Sequence, residues 1–111
     1  MSLKDNILNA DDLRSETVFV EEWNTKVTIR TMTGTERDAF ELELSGPEGK
    51  QNARAKLLVR CIADESGNRV FQDSDALALG KKSSKALDKL WDIALDLNRV
   101  RKKDVEEAEK N

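Results

Sequence analysis

The side chains able to do chemistry in this 111-residue chain are carboxylates, lysines, arginines and hydroxyls, because it has no histidine and one cysteine. Without imidazole there is no ordinary general base at neutral pH, no commonest metal ligand and no Ser–His or Cys–His nucleophile. Acidic pairs stand at Asp11 and Asp12, Glu21 and Glu22, and Asp73 with Asp75. Each is a carboxylate pair of the kind a hard cation takes, yet none has the alternating oxygen ligands and central glycine of a calcium loop. The nearest stretch, Asp64-Glu65-Ser66-Gly67-Asn68, lacks the downstream glutamate and reads as a plain turn. The five glycines are scattered over turns and form no phosphate-cradling loop. Cys61 lies on an apolar helical stretch, where a thiol behaves as a small hydrophobe. Catalysis, metal binding and cofactor binding are therefore not expected, which leaves a binding or structural role.

Charge narrows the class of partner. Residues 1–55 carry seven basic and eleven acidic side chains, and residues 56–111 carry twelve and eleven. Neither half suits a polyanion. The densest basic run, Arg99, Arg101, Lys102 and Lys103, is answered at once by Asp104, Glu106, Glu107 and Glu109. Nucleic-acid affinity needs an unopposed basic patch, and base stacking needs aromatics, of which there are five and no tyrosine. A lone cysteine makes no internal disulfide, and the apolar runs fall far short of the roughly 18 residues a membrane span requires. The chain reads as one cytoplasmic-type domain over 1–100, followed by a charged tail over 101–111 that is expected to fray.

The elements that would position any site can be read from periodicity. Ile7, Leu8 and Leu13 among polar neighbours suggest a short helix or ordered arm. Strands are expected over 16–22 and 26–31, where Val27 and Ile29 alternate with Lys26, Thr28 and Arg30. Asn24-Thr25 suits a tight turn between them, since Asn tolerates positive φ. Thr33 and Glu36 have capping-box spacing, so a helix should run to about residue 44, packing through Phe40 and Leu44. The breaker Ser45-Gly46-Pro47-Glu48-Gly49 separates it from a second helix over 50–63. Ala55, Leu57, Leu58, Val59, Cys61 and Ile62 make that helix central, with Lys56 and Arg60 marking its outward side. A turn at 66–68, an extended Val70-Phe71 and a brief helix around Ala76, Leu77 and Leu79, stopped by Gly80, follow. Trp23, at the hairpin end, reads as a lid over the core, with a surface anchor as the alternative.

The last helix should start at Ser83 or Ser84 and persist to about residue 100. On its wheel Leu87, Leu90, Trp91, Ile93, Ala94, Leu95 and Leu97 fill an arc of roughly 200°, about twice what an ordinary surface helix buries. One explanation is a helix wedged between two others. The other is that Leu87, Leu90, Trp91 and Leu95 include a partner-binding edge, led by Trp91 and Leu95. The fold class is α+β: an N-terminal antiparallel hairpin packed with a mostly helical remainder of about four helices.

One succession of fragments is more specific than any of them alone. Ala10-Asp11-Asp12-Leu13, a strand ending Glu22-Trp23 and Val27-Thr28-Ile29-Arg30 lead into Met32-Thr33-Gly34-Thr35-Glu36-Arg37-Asp38-Ala39-Phe40-Glu41. Asn52-Ala53-Arg54-Ala55, then Asp64-Glu65-Ser66-Gly67-Asn68-Arg69-Val70-Phe71 and Ala78-Leu79-Gly80-Lys81-Lys82-Ser83-Ser84-Lys85-Ala86-Leu87-Asp88-Lys89-Leu90 complete it. In order and spacing this resembles the tail assembly chaperones of long-tailed bacteriophages and prophages, over nearly the whole chain. It departs where Asn24-Thr25 stands in place of a common glycine. The resemblance implies a non-enzymatic protein of the host cytoplasm, absent from the mature virion. Such a protein binds the tape measure protein, keeps it soluble and promotes assembly of the major tail protein around it. Many members also exist as a longer frameshifted form. No motif of the family assigns binding residues; self-association is a further expected contact, and neither a membrane nor nucleic acid is an expected partner. The alternative reading is a small phage or bacterial regulatory adaptor that associates with nucleic acid through the Arg99 to Lys103 cluster.

Overall fold

The structure, a computed structural model, describes residues 2–99. The tail expected over 101–111 lies outside the described residues. The elements are α1 (Leu3–Leu8), β1 (Ser15–Val20), β2 (Thr25–Arg30), α2 (Gly34–Leu44), α3 (Ala53–Cys61), β3 (Ile62–Ala63), α4 (Ala76–Leu79) and α5 (Ser84–Asn98). Short 3-10 turns occupy Glu21–Trp23 and Asp73–Asp75. The class is α+β, built on an N-terminal antiparallel hairpin.

The hairpin register runs from Ser15 opposite Arg30 to Val20 opposite Thr25. Opposed residues share a face, so Val18, Val20, Val27 and Ile29 form one side, with Val20 and Ile29 wholly buried. Ser15, Thr17, Phe19, Lys26 and Thr28 form the other, where the Thr17 and Thr28 hydroxyls bond at 2.8 Å. β1 ends at Val20 rather than at 22, because Glu21–Trp23 coil into a 3-10 turn before Asn24 takes a φ of +48°. The reversal is thus longer than a two-residue turn, although Asn24 supplies the left-handed residue it needs.

α2 starts as its sequence requires. Thr33 Oγ1 accepts from the Glu36 amide at 3.2 Å, and Glu36 Oε1 accepts from the Thr33 amide at 2.9 Å. Phe40 and Leu44 are buried, whereas Leu42 is exposed. The breaker after it folds tightly enough that a Cβ on Gly49 would collide with the Leu44 carbonyl.

Two boundaries of the central helix differ from the expected 50–63. Asn52 adopts a φ of +55°, so α3 begins only at Ala53. At the other end Ile62 and Ala63 leave the helix and pair with Ile29 and Thr28 as β3, giving a three-stranded sheet in the order β1-β2-β3. A continuous apolar run does not distinguish a helix end from a buried strand. The extended piece expected at Val70-Phe71 is a local pairing one residue earlier. Arg69 bridges Ala63, and the Val70 amide donates to the Ile62 carbonyl at 3.2 Å.

α5 begins at Ser83, whose Oγ accepts from the Ala86 amide, and lies against both α3 and the hairpin. A helix touching two layers needs a wide apolar arc. Leu87, Leu90, Ala94 and Leu95 are buried there, while Trp91, Ile93 and Leu97 are half-buried around them. Trp23 closes the hairpin end of the same core, as a lid would.

Candidate functional site

The charged groups that converge in this fold do so in one chain of alternating sign. Arg30 meets Glu36 through two bonds of 2.9 Å, and Glu36 lies 3.7 Å from Arg69. Arg69 bonds Asp73 at 2.7 Å; Asp73 approaches Arg60 at 3.2 Å, and Arg60 bonds Glu43 at 2.7 Å. Glu36 and Glu43 sit two turns apart on α2, so the network fastens that helix to β2, to α3 and to the segment before α4. Arg60, expected on the outward side of its helix, is only 1% exposed. The side of α3 that carries it is covered by α2 and the Asp73 turn, and their carboxylates satisfy the charge. Arg60 also donates to the Lys56 carbonyl at 2.8 Å. Such groups hold a fold together and do not leave a proton or an electron pair for a substrate.

Two carboxylates in the network have depressed pKa values. Burial alone would raise Glu36, but hydrogen bonds from Arg30 and the Thr33 amide, with the charges of Arg30 and Arg69, hold it below 4.5. The Arg69 hydrogen bond, aided by Arg60 and opposed by burial, holds Asp73 below 3.8. A depressed folded pKa gives stability that is complete above the unfolded value and is lost as pH falls through the folded one. Urea midpoints should therefore drop between pH 5 and pH 3, and a Glu36→Gln, Asp73→Asn variant should show a flatter acid limb from a lower plateau. Parallel limbs would show that these two groups do not govern it.

Other chemistry is equally restricted. Burial pushes the Cys61 thiol up to about 12, so it is no nucleophile at neutral pH. Among the described residues no three His, Cys, Asp or Glu side chains gather as a metal ion requires, and no helix is long and apolar enough to cross a membrane. Of the basic cluster only Arg99 is described, the rest lying outside the described residues. It lines a groove with Arg14, Arg37 and Asp12, and Arg37 is already bonded to Glu41 and to the Asn98 carbonyl.

What the surface does offer is bare hydrocarbon. Every residue from 2 to 17 is exposed. α1 is capped by Ser2, whose Oγ accepts from the Asp5 amide at 3.1 Å, yet it buries nothing. Leu3, Ile7 and Leu8 are 74%, 62% and 71% exposed. Six residues are too few for an isolated helix in water, so such a helix needs packing to persist. Of the four residues expected at a partner edge, Leu87, Leu90 and Leu95 sit in the chain's own core and Trp91 is half-buried beside it. Sequence periodicity found the arc of α5 but gave no weight to α1, because Leu3, Ile7 and Leu8 look like any small amphipathic turn until their lack of cover is seen.

The model of a protein family described as phage tail assembly chaperone matches residues 2–111. The chain belongs to that family. A solved structure, that of the bacteriophage HK97 tail assembly chaperone, matches this chaperone with a TM-score of 0.66 at 21% identity. The match covers 88% of this chain and 95% of that one, which shows a shared fold. No curated protein matches. Membership in a chaperone family implies a role without catalysis and places its partners among tail proteins.

Proposed function

We infer that this chaperone binds the tape measure protein of its phage in the host cytoplasm. It would keep that client soluble, release it as the major tail protein polymerises, and be left out of the finished virion. The observation carrying this reading is α1, whose three aliphatic side chains stay bare on a folded element. A long amphipathic client helix exposes a stripe of the same kind, and helix-on-helix burial joins the two. Each aliphatic side chain contributes about 1.5–3 kcal/mol when fully covered, and partial cover by a mobile client gives less. Set against the cost of association, three of them give a weak contact that a polymerising partner can displace, so holding the client needs further contacts along its length. Trp91 is the accessible member of the α5 edge and supplies a second contact, with Leu87, Leu90 and Leu95 supporting it from beneath. Self-association through α1 would compete for the same side chains.

The test is co-expression with the tape measure protein. A Leu3→Ser, Ile7→Ser, Leu8→Ser variant should keep the parent's urea midpoint, since none of these residues is buried, while the soluble client falls severalfold. Unchanged client solubility with the triple variant folded would overturn the assignment of α1.

A further inference from the structure

β3 is two residues long and the strand it pairs with is six. After Ala63 meets Thr28 the chain turns away at Asp64, whose carbonyl accepts from the Gly67 amide at 3.0 Å. Among the described residues no strand covers that side of 25–27. A groove of about 740 Å³ opens beside them and runs on over the outer face of the hairpin, lined by Ser15 and Thr17 of β1 as well as by Trp23, Lys26, Glu65 and Phe71.

The backbone phase along this edge follows from the ladder. In an antiparallel pair alternate residues turn both amide and carbonyl to the same side. The Thr31 amide donates to the Arg14 carbonyl at 2.9 Å, continuing the hairpin register, so Thr25, Val27 and Ile29 face β1. Lys26, Thr28 and Arg30 then face away from it. Thr28 meets Ala63, and Lys26 presents both backbone groups to the empty slot. The outer edge of β1 is less open, because Lys89 Nζ of α5 already bonds the Phe19 carbonyl at 2.8 Å.

We propose that this slot takes an extended, basic segment of another polypeptide, which adds a strand to β2 along the line that β3 leaves. Sheet edges are templates for strands, with backbone bonds giving attachment and flanking walls selecting side chains. Trp23, Val70 and Phe71 supply apolar walls, Val70 being 55% exposed. Asp64 and Glu65 on one wall, with Glu21 and Glu22 just before Trp23, outnumber Lys26. Their sign selects lysine or arginine between the apolar residues of the incoming strand. This surface is separate from α1, and the inference stands whether or not the helical client binds there.

The probe is a blocked octapeptide of alternating valine and lysine, added to the isotope-labelled chain. Its controls are a peptide of the same composition with the valines and lysines in two blocks, and an alternating valine–glutamate peptide. The alternating basic peptide should protect the Lys26 amide from exchange and shift Val70 and Phe71, with both controls weaker. Val70→Lys should lower its affinity roughly tenfold, because an apolar contact is lost and a charge of the peptide's own sign is placed in the slot. Lys26→Pro removes an amide that the hairpin ladder does not use and should weaken binding several-fold. Equal binding by the block peptide would overturn the proposal. So would a Lys26 amide no more affected than Phe19, or a folded Val70→Lys chain of unchanged affinity. Protection of Lys26 that rises with protein concentration alone would assign the slot to a second copy and overturn it too.

Discussion

Replacing Arg60 by alanine is expected to destabilise the fold by about 3 kcal/mol, read as a lowered urea midpoint at constant slope. The side chain is among the largest fully buried ones, bonded to Glu43 at 2.7 Å, to Asp73 at 3.2 Å and to the Lys56 carbonyl at 2.8 Å. Stranded charge is not the main cost, because the Glu43 and Asp73 side chains keep 40% and 48% of their exposure and can rehydrate. The loss arises from the cavity under α2 and from releasing the turn at Asp73, which Arg69 alone would then hold. Arg60→Met tests that division. It fills most of the volume without pairing, so it should lose roughly 1–2 kcal/mol. Equal losses in the two variants would instead make pairing the whole of the effect, and a loss below about 0.5 kcal/mol in both would make the network dispensable.

Arg60 also shows where the sequence stopped being legible. Lys56 and Arg60 are one turn apart, and both read as the solvent side of a helix whose other positions are apolar. For Lys56 the reading holds, since it is partly exposed and reaches the Glu48 carbonyl at 2.8 Å. For Arg60 it fails because periodicity reports polarity rather than cover, and two carboxylates from distant parts of the chain make cover tolerable. Local signals fared better. Thr33 with Glu36, Ser83 and Asn24 each carry a short-range mechanism, and each does in the structure what that mechanism requires. The Ile62-Ala63 strand carried no such signal, since its partner, β2, is more than thirty residues away. The candidate surface was the least legible part. Leu3, Ile7 and Leu8 differ from core residues only in having no neighbour, which is a property of the whole fold.

Leu90→Glu is expected to unfold the chain, and Trp91→Glu to leave it folded. Leu90 is wholly buried on the part of α5 that packs between α3 and the sheet. Among the described residues its surroundings are the apolar core. A carboxylate there loses the leucine's burial and has no partner, and the two costs together reach the scale of the roughly 5 kcal/mol that holds a marginally stable domain folded. Leu95→Glu, at 3% exposure, should follow it. Trp91 keeps part of its ring in water, so a glutamate at that position forfeits only the packed part, about 1–2 kcal/mol, and remains hydrated. Thermal melts separate the two outcomes, and client solubilisation then gives each its meaning. A folded Trp91→Glu chain that no longer holds the tape measure protein makes that edge an interface. A folded Leu90→Glu chain would mean instead that α5 can swing from α3 and offer its arc to the client. The wide arc would then serve a partner rather than the two layers that enclose it here.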